Sequence, residues 1–161
     1  MEIKYEKDLI FFIEQNLFEG LVACVDAASP NEACGLIFGE VEETKVEGGF
    51  QYHYIAKIFE CFESSEKSPV SFLIDNLELL NEKFEHAYNK HKLNLISIFH
   101  SHPGGSYPSG VDTRNMEYLD DCGNKAFKNQ IWTIMDASTK ELNGYIYLQN
   151  EFLQINVQKK E

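Results

Sequence analysis

The stretch His100-Ser101-His102-Pro103-Gly104-Gly105-Ser106-Tyr107-Pro108-Ser109-Gly110-Val111-Asp112 carries more structural information than any other part of the chain. It follows directly on Leu93-Asn94-Leu95-Ile96-Ser97-Ile98-Phe99, a short apolar run with the character of a buried strand. If the strand continues through His102, side chains at i and i+2 share a face, so His100 and His102 present two imidazoles side by side. The segment 103–109 is the least regular part of the sequence. A short helix over about 110–121 is predicted after it, with Asp112 in its first turn. The Gly-Gly pair and the prolines let the chain fold back, bringing the Asp112 carboxylate to the two imidazoles. Two neutral nitrogens and one carboxylate suit Zn²⁺, and three protein ligands leave the fourth tetrahedral position for water, the arrangement of a catalytic site. Ser109-Gly110-Val111-Asp112 is also a helix-capping pattern. A serine hydroxyl fixed at a helix start beside a metal can in addition donate to a developing oxyanion.

Hydrolysis at such a site needs a carboxylate that does not bind the ion, takes the proton of the attacking water and passes it to the leaving amine. Spacing alone does not choose among the chain's 26 acidic residues. Glu32 stands out by context, since it follows Pro30-Asn31 and precedes Ala33-Cys34-Gly35-Leu36 at the entrance to an apolar strand.

The flanking segments supply a mixed α+β pattern. Residues 2–13 include a first strand. Residues 16–28 have apolar positions at helical spacing, with Asn16 as cap and Glu19 three residues on, and Ser29-Pro30 ends this helix. Strand 34–40, a polar Gly-Gly turn over 42–49 and strand 50–62 follow. Residues 63–69 read as a loop and Val70–Ile74 as extended. Asp75 reads as the cap, with Glu78 in the first turn, of a helix that runs to about His91 and carries Leu77, Leu80, Phe84, Ala87 and Tyr88 on its apolar stripe. Gln130–Met135 is a strand, and 141–149 with 152–158 form a hairpin turning at Asn150-Glu151. This order, without strict βαβ alternation, predicts one α+β domain over 1–161, a curved mixed sheet flanked by helices.

The whole chain narrows the function classes. At 161 residues, 43% hydrophobic and 25% charged, it has the composition of a globular domain. A net charge of -12 keeps it soluble and repels nucleic-acid phosphates and anionic membranes. No run approaches the roughly 18 apolar residues of a membrane span, and Leu9 to Ile13 is too short for a signal-peptide core. A cytoplasmic protein is expected. Cys24, Cys34, Cys61 and Cys122 form no CxxC pair, so they are expected as reduced thiols. His53, His86 and His91 are expected as surface or packing residues, and Trp132 as core.

Taken together, Pro30-Asn31-Glu32-Ala33-Cys34-Gly35-Leu36-Ile37-Phe38-Gly39 and, 68 positions later, His100-Ser101-His102-Pro103 with Ser109 and Asp112 resemble the two motifs of JAMM/MPN+ (JAB) metallopeptidases. Phe72–Asp75 with the helix after it, and Ile131–Asp136, resemble the family as well, so the likeness covers about residues 3–157. It implies a cytidine-deaminase-like α/β sandwich fold and one Zn²⁺ held by His100, His102 and Asp112. It implies Glu32 as the catalytic glutamate and Ser109 as the serine that steadies the tetrahedral intermediate. It also implies hydrolysis of isopeptide or peptide bonds next to the C-terminus of a ubiquitin-like or sulfur-carrier-like protein. The chain resembles a minimal prokaryotic-type member, without the second zinc site of linkage-selective deubiquitinases. One departure concerns the loop: five residues separate Pro103 from Ser109, where the common pattern has six, and two adjacent glycines can absorb the difference.

Other functions remain open from sequence. A JAMM peptidase of this kind could act on a cysteine adduct of a carrier protein or on a cell-wall peptide. The same domain could also serve as a non-catalytic scaffold or binding module, and with either function the chain could pair as a homodimer. A zinc nucleobase deaminase needs H-x-E with P-C-x-x-C, and the sequence has neither.

Overall fold

A computed structural model describes residues 2–62, 77–121 and 129–161, with side chains of the 77–121 segment from residue 80 onward. In chain order the elements are β1 (Lys4–Glu14), α1 (Gln15–Ala28), β2 (Cys34–Val46), β3 (Gly49–Phe62), α2 (Leu77–His91), β4 (Asn94–His102), α3 (Gly110–Asp121), β5 (Ile131–Asp136), β6 (Leu142–Leu148) and β7 (Glu151–Lys160). The readings at Pro69, Val70–Ile74, Asp75 and Cys122 lie outside the described residues, as do the side chains of Leu77 and Glu78.

The seven strands form one closed barrel in the order β1-β3-β2-β4-β5-β6-β7. This corrects the expected α+β sandwich of cytidine-deaminase type, with its curved mixed sheet flanked by helices. The deciding contact is between the two ends of the chain. β1 pairs in parallel with β3 on one side, from Leu9↔Tyr52 to Phe12↔Ile55, and with β7 on the other, from Lys4↔Leu153 to Glu14↔Lys160. β1, β2, β3 and β7 run 11, 13, 14 and 10 residues. Strands of that length twist and coil enough for the outer two to meet, and closure pairs edge groups that an open sheet would leave bare.

The first half of β2 and most of β4 and β5 are buried on both faces, which explains their largely apolar runs in sequence. On β2, Ile37 joins a cluster with Phe11, Leu21, Val25, Phe99 and Met135, the face on which α1 packs. Its neighbours Leu36 and Phe38 join the opposite cluster, with Ile98, Trp132 and Ile134 from the strands and with Leu80, Ala87, Met116 and Leu119 from α2 and α3. Gly35 is dictated by this layering. A Cβ there would lie 2.5 Å from both the Glu60 carbonyl oxygen and the Phe59 ring.

Several local expectations change. Glu14, not Asn16, occupies the N-cap of α1 and makes no side-chain cap bond, while Asn16 Oδ1 accepts from the adjacent Leu17 N–H at 2.8 Å. The 42–49 turn shrinks to the Glu47-Gly48 link, because β2 and β3 stay paired to Val46↔Gly49. The last hairpin turns at Gln149-Asn150, both with positive φ, rather than at Asn150-Glu151. Tyr88 is 54% exposed and leaves the apolar stripe of α2.

The cysteines also differ from expectation. Cys24 and Cys61 form a disulfide that ties the last turns of α1 to the end of β3, and Cys34 is free. Such bonds are rare in cytosolic proteins, so this one lends no support to the cytoplasmic expectation. No described helix is long and apolar enough to cross a membrane. With 37 positions between its ends, the bond restricts the unfolded chain. Cys61→Ser is therefore expected to lower stability by about 3–4 kcal/mol, read as a shift of the denaturant midpoint against wild type. An unchanged midpoint in oxidising buffer would show that the bond contributes nothing.

Candidate metal centre

The end of β4 and the start of α3 build the site. β4 is extended through His102, and His100 and His102 turn their Nε2 atoms to a common point, 3.2 Å apart. Asp112 closes the group. Its Oδ2 lies 3.0 Å from His102 Nε2 and its Oδ1 3.3 Å from His100 Nε2. His100 is fully buried, Asp112 is 5% exposed and His102 is half-buried. Asp112 is aimed by the helix start predicted from sequence. The Asp112 N–H donates to Ser109 Oγ at 3.1 Å, and the Ser109 N–H donates to Asp112 Oδ2 at 2.8 Å. This reciprocal box satisfies two donors that a helix start leaves free.

Glu32 stands at the rim, its side chain 45% exposed, with Oε1 3.8 Å from His102 Nε2. Its position comes from a two-way link between strands. The Ala33 N–H donates to Ser101 Oγ at 2.9 Å, and the Ser101 N–H donates to the Ala33 carbonyl at 3.1 Å. Ser101 points away from the imidazoles and locks the glutamate-bearing loop to the histidine-bearing strand. Trp132 does more than fill the core, since its ring meets His100 edge-on at 5.9 Å between centroids.

The short loop between Pro103 and Ser109 is held at two points. The Gly105 N–H donates to Asp136 Oδ2 at 2.8 Å, with Gly105 at φ +91°, where a side chain would be strained. Ser106 is buried. Its carbonyl accepts from the Tyr145 hydroxyl at 2.8 Å, and its Oγ accepts from Asn143 Nδ2 at 2.7 Å and donates to Glu141 Oε1 at 3.1 Å. Removing the Tyr145 hydroxyl leaves that carbonyl unpaired. Tyr145→Phe is expected to cost about 1–2 kcal/mol, a fall of roughly 3–6 °C in Tm by calorimetry. A wild-type Tm would mean that the loop does not depend on this anchor.

The electrostatics favour a cation. Burial opposes the charge on Asp112, but the hydrogen bonds from His100 and His102 outweigh it and hold the carboxyl well below the usual carboxylate range. The hydrogen bond to Asp112 raises the pKa of His102, against partial burial, with Glu32 and Asp136 adding to the pull. Asp136 is itself held low, chiefly by the Ser138 hydroxyl and then by the Gly105 amide. Burial pushes the Cys34 thiol up to about 11.

His100, His102 and Asp112 could hold a metal ion, with one ligand atom from each within 4.8 Å of the others. A tetrahedral shell with bonds of about 2.0–2.1 Å sets ligand atoms roughly 3.3 Å apart. The 3.2 Å between the two Nε2 atoms and the 3.0 Å from His102 Nε2 to Asp112 Oδ2 fit that shell, and so does the donor set, while the other carboxylate oxygen faces His100 at 3.3 Å. Glu32 is outside this group. His53 packs on Phe12, and His86 meets His91 on α2, so none of these three joins the site.

Ser101, Ser106, Asp136 and Tyr145 were not identified from sequence as site residues. The available signal was a small polar residue between two strand histidines, and an acid at the end of the strand next to β4, where Asp136 pairs with His102. Tyr145 gives no comparable signal, since its hydroxyl partner lies 39 positions away.

The chain matches no curated protein by sequence. In fold it resembles the solution structure of a protein from Desulfitobacterium hafniense, with a TM-score of 0.65 and 20% identity over 94% of this chain and 93% of that one. It also resembles the crystal structure of a JAB1/MPN domain protein from Archaeoglobus fulgidus, with a TM-score of 0.50 and 13% identity over 90% and 96% of the two chains. The family model described as prokaryotic homologs of the JAB domain matches residues 14–145, which span both motifs, and the chain belongs to that family.

Proposed function

We propose that the protein is a zinc-dependent peptidase of JAMM type that hydrolyses a peptide or isopeptide bond following the C-terminal tail of a ubiquitin-like or sulfur-carrier-like protein. The observation that carries this reading is the His100, His102 and Asp112 cluster, with a fourth carboxylate, Glu32, 3.8 Å from His102 and outside the ligand group. An ion bound there would supply Lewis-acid polarisation and acidify a water.

The remaining chemistry falls to the chain. Glu32 accepts the proton of the attacking water and delivers it to the leaving amine, and its exposed position gives that proton a route across the site. Ser109 uses its oxygen to accept from the Asp112 amide, which leaves its hydroxyl hydrogen free to donate to a developing oxyanion. Zinc is preferred because two imidazoles and one carboxylate match its ligand taste.

The test is cleavage of a ubiquitin-like or sulfur-carrier-like protein joined through its C-terminal glycine to a reporter. Zinc-loaded protein is expected to cut after the glycine, to stop when zinc is chelated and to resume when zinc is restored. Zinc-loaded protein of verified metal content that cuts no such fusion would favour a binding module on the same fold.

A further inference from the structure

We propose that the cleft of about 280 Å³ lined by Ser29, Pro30, Asn31, Pro103, Ala137 and Ser138 receives the residue that supplies the leaving amine, and that it selects a linear peptide bond followed by one small, uncharged residue. The proposal rests on the peptidase reading and narrows its substrate.

Place is the first argument. The wall residues Asn31 and Pro103 are the immediate chain neighbours of Glu32 and His102, and the Ala137 N–H donates to the His102 carbonyl at 2.8 Å. The cleft therefore flanks the Glu32 and His102 side of the metal centre. Ser109 is not among the lining residues and bonds to Asp112. A carboxylate that protonates a leaving amine must adjoin that amine, so the group that departs lies on the Glu32 side.

Chemistry is the second. None of the six lining side chains carries charge, and none is large and apolar. Of the charged groups around them, Lys140 and Asp136 are already engaged, and the Glu32 carboxylate stands at the edge beside Asn31. Lys140 Nζ pairs with Asp26 Oδ1 at 2.8 Å, and Asp136 accepts from Gly105, Ser138 and Thr139. The walls thus offer polar groups and no ion of their own: an acidic side chain would meet Glu32 as a like charge, a basic one that paired with Glu32 would occupy the proton carrier, and either would lose hydration.

Size and stiffness are the third. The volume falls just below small-ligand sites, which begin at roughly 300 Å³, and so fits one residue rather than an extended strand. The walls come from three segments that are tied together. Lys140 and Asp26 join the β5–β6 turn to α1, and Asp136 joins the same turn to the loop after β4. A preformed pocket of this kind discriminates by fit rather than by closing on its ligand.

The experiment uses the zinc-loaded full chain and one ubiquitin-like protein whose C-terminal glycine is joined by α-amide to serine, asparagine, glutamate, lysine or tryptophan, or by isopeptide bond to a lysine side chain. The serine and asparagine substrates are expected to show kcat/KM about 10-fold or more above the others. Ser29→Trp, which fills the cleft without touching the metal centre, should raise KM for the serine substrate about 10-fold with kcat and zinc content unchanged. As a second readout, titration with serine amide should move the backbone amide resonances of Ser29, Asn31, Ala137 and Ser138. Cleavage that is indifferent to the leaving residue, or that prefers the isopeptide, overturns the proposal and leaves the peptidase reading standing. Resonance shifts with no cleavage of any substrate overturn the peptidase reading, and the leaving-group role with it.

Discussion

Asp112→Asn is expected to lower zinc affinity on the order of 10³-fold or more and to abolish hydrolysis while the fold survives. Loss of an outer partner of a metal ligand alone costs about 10–100-fold, and Asp112 is one of three residues that could supply a direct bond. Asparagine keeps the size of the side chain and an oxygen to accept from the Ser109 N–H, so the start of α3 retains its box. What disappears is the negative charge between two imidazoles, where it now holds His102 toward its protonated form. Chelator competition measures the affinity, and far-ultraviolet circular dichroism checks the fold. Wild-type zinc affinity in this variant would remove Asp112 from the ligand set. In the wild type, affinity should also fall with falling pH, starting above the ordinary histidine range because the Asp112 hydrogen bond raises the His102 pKa and protons compete for that imidazole.

The His100, His102 and Asp112 group that could hold a metal was legible because each of its parts is local. His100 and His102 sit two apart on a strand, and Asp112 sits in the first turn of a helix that announces itself with Ser109. Strand periodicity and capping chemistry act over a few residues, so the sequence exposes them directly. Glu32 stood out by its local context at a strand entrance and gained its role only through the resemblance, since the link that places it, Ala33 to Ser101, spans 68 positions.

The architecture was legible only in part, for the same reason. Most strands and helices fall where periodicity puts them. Whether a sheet stays open or closes depends on whether β1 and β7 pair, and no local pattern records that contact between the two ends of the chain. The disulfide is equally nonlocal. Cys24 lies on a helix and Cys61 near the end of a strand, and packing of α1 across β3 brings their Cα atoms to 5.9 Å. Single cysteines without paired spacing read as reduced thiols, because spacing reports only on neighbours in sequence.

Glu32→Gln carries the second large effect. Glutamine has nearly the shape of glutamate but accepts no proton at neutral pH, so the substitution removes basicity and little else. General acid–base assistance contributes about 10²–10⁴ in rate, and kcat is expected to fall about 10³-fold with KM within roughly threefold. Zinc content should not change, because Glu32 is outside the ligand group and its nearest oxygen is 3.8 Å from His102 Nε2. The two readouts separate the roles that a carboxylate at this position can have. Loss of zinc together with activity would make Glu32 a ligand. Retained zinc with unchanged kcat would assign the proton transfer to another group. Retained zinc with a large fall in kcat is what a base held beside the metal by the Ala33–Ser101 link predicts. Ser101→Ala then offers a graded version of the same test. It removes the hydroxyl that accepts from the Ala33 amide and leaves Glu32 chemically intact, so any fall in kcat reports how far the loop has lost its aim.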